Sequence, residues 1–213
     1  MSFTFITSTN VINFGYICPR KNYRFMNVVV LTSVGNVVVR PDTTWERDNE
    51  DFYLPSFIDS LKYSPVLFAR VCKPGRSIGE KFASRYFDAV GYGVLLYPTE
   101  LLAIKEQGWA AASCLDHTTF LPYPLYNPIT LGQESNEFVL RKNSESIFSH
   151  PADSVRRIEE SIAKVSQICY LRTGDMVAIE LQDLKPLCTR DKEKVHIDAT
   201  FCDNQTLDFQ IIF

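Results

Sequence analysis

LKYSPVLFARVCKPGRSIGEKFASRYFDAVGYGVLLY, residues 61–97, decides how the rest of the chain is read. Its two ends are apolar runs of strand length. Leu61 to Cys72 is rich in apolar and aromatic residues but is interrupted by Pro65, and a proline inside a strand argues for an edge or a bulge. Val90 to Tyr97 is apolar on both faces and is bounded by Pro98, which predicts a strand buried in the middle of a sheet. Between them Lys73-Pro74-Gly75-Arg76 reads as a turn. Ile78, Phe82, Tyr86 and Phe87 then recur near helical spacing, so Ile78 to Phe87 is expected as a helix. Ser77 can cap it, with Glu80 at the third helical position.

On the N-terminal side, Phe3 to Thr7, Val11 to Ile17, Val28 to Leu31 and Val37 to Val39 are short strand-like runs. Val34-Gly35-Asn36 is a turn between the last two. Arg40 to Asn49 is polar and reads as a loop or lid. On the C-terminal side, Thr99 to Lys105 is a short helix, and the prolines within Phe120 to Pro128 exclude regular structure there. Phe138 to Leu140 reads as a strand that turns at Lys142-Asn143-Ser144. Val155, Ile158, Ile162, Val165 and Cys169 fall at spacings of three and four, which predicts a helix with Asp153 or Ser154 at its start. Thr173-Gly174-Asp175 turns into Met176 to Leu181. Val195 to Phe201 and Leu207 to Phe213 close the chain as strands around the turn Cys202-Asp203-Asn204-Gln205. The pattern is mostly β with short helices, expected as a single domain over 1–213, with a small N-terminal β subdomain of about 50 residues as a variant of that reading.

Composition narrows the function classes. The 213 residues carry 22 Lys plus Arg against 25 Asp plus Glu, a net charge of -3. A protein that follows a phosphate backbone usually shows a basic surplus, so nucleic acid is not expected as a partner; Arg20, Lys21 and Arg24 form only a small basic group. No apolar stretch is long enough to cross a bilayer and no targeting segment is recognisable, which makes a cytoplasmic setting the expectation. The six cysteines (Cys18, Cys72, Cys114, Cys169, Cys188 and Cys202) are widely spaced without a CxxC pair and are expected as buried free thiols. His117, His150 and His196 are far apart, so zinc has no local signature.

A set of short motifs, in order, carries a resemblance. They are Asn22-Tyr23-Arg24, Val38-Val39-Arg40-Pro41-Asp42, the strand Tyr63 to Val71, the segment Glu80 to Asp88 followed by Val90-Gly91-Tyr92, Trp109 to Asp116, Arg141-Lys142-Asn143-Ser144 and Thr173-Gly174-Asp175. Together they resemble the fumarylacetoacetate hydrolase superfamily from about residue 16 onward. The resemblance implies a mixed β roll, a homodimer, and an active site in which three carboxylates hold Mg, Mn or Ca. That ion serves the hydrolysis, hydration, decarboxylation or isomerisation of a keto or enol acid.

The departures from the family pattern are as informative as the matches. Its Glu-x-Glu pair falls on Ser64 and Val66, its metal-binding Asp on Tyr97, and the lysine three residues before Asp116 on Ser113. Its catalytic histidine falls on Met26 or has no counterpart. A hard divalent ion needs anionic oxygen ligands; a hydroxyl, an aliphatic group and a neutral phenol do not supply them. No metal or other cofactor is therefore expected, with Mg or Mn reserved for the alternative that the site is altered but active.

Other residues offer their own chemistry. Asp116 and His117 are candidates for an acid–base pair, or polar loop residues. Arg40 could grip a small carboxylate with a two-pronged hydrogen bond, or be a solvated loop arginine. The leading reading is a non-metal, non-catalytic homologue, with a retained pocket of Arg40, Ser64, Val66, Tyr97, Ser113 and Asp116 that takes a small carboxylate. The alternative is an active hydrolase, isomerase, hydratase or decarboxylase.

Overall fold

In the computed structural model, residues 26–151, 153–191 and 193–213 are described. The expected strands at 3–7 and 11–17, the Asn22-Tyr23-Arg24 motif, the basic group at 20–24 and Cys18 lie outside the described residues.

The strands form two sheets. In chain order they are β1 (Val28–Leu31), β2 (Val37–Arg40), β3 (Trp45–Glu46), β4 (Phe52–Tyr53), β5 (Ser60–Val71), β6 (Phe87–Pro98), β7 (Thr119–Phe120), β8 (Phe138–Lys142), β9 (Glu145–His150), β10 (Met176–Glu180), β11 (Lys185–Thr189), β12 (Lys194–Phe201) and β13 (Asn204–Ile212). The larger sheet runs β2-β1-β10-β5-β6-β7-β3, with β11 also pairing with β5; the smaller runs β4-β13-β12-β8-β9. Pairing is mixed: β1 with β10, β3 with β7 and β4 with β13 are parallel, and the remaining pairs are antiparallel. One apolar cluster joins the sheets, with Leu67, Tyr92 and Leu96 from the larger meeting Phe138, Ile197 and Phe209 from the smaller.

The fold is thus mostly β with short helices: α1 (Thr99–Leu102), α2 (Gly108–Ala112) and α3 (Val155–Ile168). Helix α3 follows its sequence pattern. Ser154 caps it by accepting a hydrogen bond from the Arg156 N–H, and Ile158, Ile162 and Val165 are buried against the core. No helix among the described residues is long and apolar enough to cross a membrane.

The segment expected as a helix over Ile78 to Phe87 is instead a 3-10 helix, Glu80–Arg85. Ser166 of α3 takes the Ser77 and Ile78 N–H groups, through its carbonyl and hydroxyl oxygens respectively, and Ser77 sits at φ +50°. A cap residue normally has extended backbone, so Ser77 is fixed out of that role by its tertiary contact. Phe87 opens β6 instead of closing a helix.

Pro65 also departs from expectation, because β5 is a central strand. Its carbonyl accepts the Leu181 N–H at 2.9 Å. In an antiparallel pair a residue's N and O face the same neighbour, so the nitrogen without a hydrogen faces the side where β10 has just ended, at the pair Glu180–Val66, and before β11 begins, at Lys185–Tyr63. The proline is tolerated because it stands at the gap between two partner strands. Strands β9 and β11 lack a clear apolar alternation and gave no sequence signal; β9 is an edge strand whose residues remain partly or fully exposed.

A glycine on β6 sets how tightly this sheet closes. Gly93 lies beside β7, where an added Cβ would come within 2.2 Å of the Phe120 carbonyl oxygen. Gly93→Ala is expected to cost about 2–3 kcal/mol, because backbone cannot yield as a side chain does. Gly132→Ala, where nothing lies within 4 Å of the added carbon, should change stability by less than about 0.5 kcal/mol. Urea unfolding of both variants checks this, and equal midpoints would contradict the close approach of β6 and β7.

Candidate functional site

Alternation along β5 and β6 gathers three of the candidate residues, Ser64, Val66 and Tyr97, on one face. Ser64 pairs with Leu95, Val66 with Gly93 and Lys62 with Tyr97, while Val66 also pairs with Glu180 on β10. This face carries a second apolar cluster that includes Val28, Val66, Phe68, Leu95, Tyr97 and Ala178. Ser64, Val66, Tyr97, Ser113 and Arg40 are all buried, at 0–1% exposure. They belong to the protein interior.

Arg40 is neither a solvated loop residue nor an arm reaching into an open pocket. It ends β2 and turns inward. One guanidinium nitrogen donates to the Thr118 carbonyl (3.2 Å), the Thr118 hydroxyl (3.2 Å) and the Thr119 hydroxyl (3.0 Å), and the other to the Leu96 carbonyl (3.1 Å). Its carbon lies 4.3 Å from the centre of the Tyr97 ring, a cation–π distance. In a flat sheet, strands four places apart would be roughly 19 Å apart; the bond from β2 to β6 is possible because the sheet curls back on itself.

Tyr97 then relates this cation to an anion. Its hydroxyl donates to Glu180 Oε1 at 2.7 Å, and Glu180 Oε2 accepts the Ser33 N–H at 2.9 Å. Burial pushes the Tyr97 phenol up, which keeps it a proton donor at neutral pH, although Arg40 opposes the shift. Burial also raises Glu180; the hydrogen bonds from Tyr97 and Ser33 and the charge of Arg40 offset this only in part. Trp109 packs edge-on to Tyr97 with ring centres 5.6 Å apart. The Ser64 hydroxyl donates to the Gln182 carbonyl at 2.9 Å. The Arg40 Nε and the Ser113 hydroxyl are buried without a hydrogen-bond partner.

The other candidates lie elsewhere. Asp116 is exposed, as a polar loop residue would be, and the candidate acid–base pair with His117 is not formed. His117 instead has its Nδ1 at 3.2 Å from Oε2 of the buried Glu46, whose Oε1 accepts the Asp48 N–H. At φ +56° the His117 backbone turns sharply, and adjacent residues need not face one another. Cys114, expected as a buried thiol, is exposed, and Cys72, Cys169 and Cys202 are half-buried free thiols. Surface clefts among the described residues include one of about 490 Å³, lined by Ser60, Lys62, Thr99, Lys142 and Leu187, and one of about 310 Å³, lined by Asp42, Trp45, Glu46, Arg47, Asp48 and Glu50.

Glu180, Thr118 and Thr119 were not anticipated as partners. Glu180 had a readable signal: it shares inward parity with Met176 and Ala178 in MVAIE, so a carboxylate was due on a buried face. The two threonines had none, since only the closure of the sheet brings them to Arg40.

No family model and no curated protein matches the chain. Solved structures do. A protein of Yersinia pestis CO92 ascribed to the fumarylacetoacetate hydrolase family has a TM-score of 0.72 and 18% identity, over 89% of this chain and 94% of that one. Fumarylpyruvate hydrolase of Pseudomonas aeruginosa, in complex with Mn2+ and pyruvate, gives 0.70 and 15%, over 89% and 90%. The 5-carboxymethyl-2-hydroxymuconate delta-isomerase of Mycobacterium smegmatis gives 0.70 and 15%, over 87% and 76%. The chain has the fumarylacetoacetate hydrolase fold.

Within the fumarylacetoacetate hydrolase fold, the positions that the resemblance assigns to metal-binding carboxylates hold Ser64, Val66 and Tyr97. The carboxylate bonded to this cluster is Glu180, already accepting two hydrogen bonds. No group of three or more His, Cys, Asp or Glu suited to a metal ion occurs among the described residues. This donor set does not fit a hard divalent ion, which needs several oxygens and more than one negative charge.

The raised pKa of Glu180 sets a sign for stability against pH. Because folding favours the neutral carboxyl, its contribution is fully present below the ordinary glutamate value of 4.5 and is lost as pH rises through the higher folded value. The stability difference, wild type minus Glu180→Gln, should therefore be flat below about pH 4.5 and fall above it. Urea midpoints measured from pH 4 to 7 test this; a constant difference would contradict the burial of Glu180.

Proposed function

We propose that this chain is a metal-free, non-catalytic protein built on the fumarylacetoacetate hydrolase fold, acting as a structural or binding subunit, as a homodimer. The observation that carries the proposal is the filling of the cluster: Tyr97 stands where the resemblance calls for a metal ligand, and its hydroxyl is held by Glu180 at 2.7 Å. A small carboxylate gripped by Arg40 draws no support from the geometry, because the guanidinium already makes four internal hydrogen bonds. Any small acid that binds this protein is better sought at the surface clefts, where Lys62 and Lys142 line the larger one.

A second reading, metal-free acid–base chemistry on a keto or enol acid, has one observation in its favour. The imidazole of His117 lies against the buried Glu46 carboxylate beside an open cleft, and histidine is suited to proton transfer near neutrality. The cation available to stabilise the enolate that such chemistry generates is Arg47, which lines the same cleft and is already paired with Asp48 at 3.4 Å.

Calorimetric titration with MnCl2 and MgCl2, paired with an assay for consumption of an acylpyruvate, separates the readings. The proposal expects no stoichiometric ion binding and no turnover with or without metal. One tightly bound ion per chain would overturn it. Turnover that is independent of metal and lost in His117→Ala would establish the second reading. Light scattering checks the dimer, and a monomer at all concentrations would contradict that part.

A further inference from the structure

We infer that the interior of this chain contains a built site for a planar organic cation, a guanidinium, which the chain's own Arg40 occupies. This deepens the metal-free reading, on which it rests, by naming the ion class that the interior accepts.

The lining has the geometry of such a site. Thr118 and Leu96 offer carbonyl oxygens, Thr118 and Thr119 offer hydroxyls, and all of them accept from the two terminal guanidinium nitrogens at 3.0–3.2 Å. The face of Tyr97 covers the flat cation at 4.3 Å. Oxygen acceptors around the edge and an aromatic ring over the face suit a flat, weakly hydrated cation with donors in its plane. A spherical divalent ion asks for six or more oxygen ligands, several of them charged. Negative charge comes from Glu180, one phenol away through the Tyr97 hydroxyl. Thr119 is itself held in place by Thr44, with hydroxyl oxygens 2.9 Å apart, so part of the acceptor set is positioned independently of the cation. Arg40 and its acceptors Thr118 and Thr119 are each 0% exposed. The unpartnered Arg40 Nε marks where the tether holds the ion; a free guanidinium has no such restriction and can turn to use every donor.

The test is chemical rescue of the full chain. Arg40→Ala is expected to melt well below wild type. Low-millimolar guanidinium chloride should then raise its melting temperature by about 3 °C or more, saturably, relative to NaCl of equal ionic strength. Wild type should show no rise, and MgCl2 or MnCl2 should not substitute. A folded Arg40→Ala protein that does not respond to guanidinium overturns the inference while leaving the metal titration of wild type unaffected.

If Arg40→Ala does not fold, Arg40→Met is compared with Arg40→Met combined with Glu180→Met. Removing the anion should restore stability to the variant that lost the cation, since an uncompensated buried charge is the more costly state. A double variant no more stable than Arg40→Met alone, or one that does not fold either, also overturns the inference.

Discussion

A guanidinium cut off from water must find all its partners within the protein, and taking such a charge out of solvent costs several kcal/mol before any partner is found. In this chain that requirement falls on Arg40, and much of the interior arrangement meets it. Its acceptors come from β6 and from the segment Thr118–Thr119 that enters β7. These lie on the far side of the larger sheet from β2 in strand order. Curling brings them within reach. The Thr118 carbonyl also accepts the Leu96 N–H at 2.8 Å, so one oxygen serves both the sheet's own hydrogen bonding and the cation.

Tyr97 makes the arrangement electrically coherent. Its ring presents electron density to Arg40 and its hydroxyl presents a proton to Glu180, so the cation and the carboxylate act on opposite ends of the same side chain. Networks of this kind specify a unique interior to the extent that they are satisfied; here the terminal guanidinium nitrogens, the phenol and the carboxylate are paired, and the Arg40 Nε is the donor left over. The cluster therefore belongs to the cohesion of the fold as much as to any chemistry. It includes Ser64, Val66 and Tyr97, the positions that the resemblance assigns to metal-binding carboxylates.

Much of this was legible in the sequence wherever one residue's neighbours along the chain determine its environment. The burial of β6, the α3 stripe and the turns at Asn143–Ser144 and Cys202–Asp203 are local properties, and both turns have positive φ at the two positions that such hairpins require. Of the six residues that the resemblance groups as a pocket, Arg40, Ser64, Val66, Tyr97 and Ser113 are interior and Asp116 is exposed. What could not be read was set by long-range contacts. Ser166 prevents Ser77 from capping a helix, Glu46 rather than Asp116 meets His117, and threonines 78 and 79 positions from Arg40 complete its shell. None of these partners leaves a periodic trace, because pairing between distant segments is fixed only when the sheet closes.

Pro65 has a consequence beyond its tolerance at the gap between β10 and β11. Side chains on a strand alternate, so a slip of one position would exchange the two faces of β5 and push Leu67 and Val66 into each other's surroundings. Such a slip against β10 would also set the bare proline nitrogen opposite a carbonyl that expects a donor. The residue therefore behaves as an alignment key for the pairing of β5 with β10, admitting one setting of β10 and disfavouring the adjacent ones.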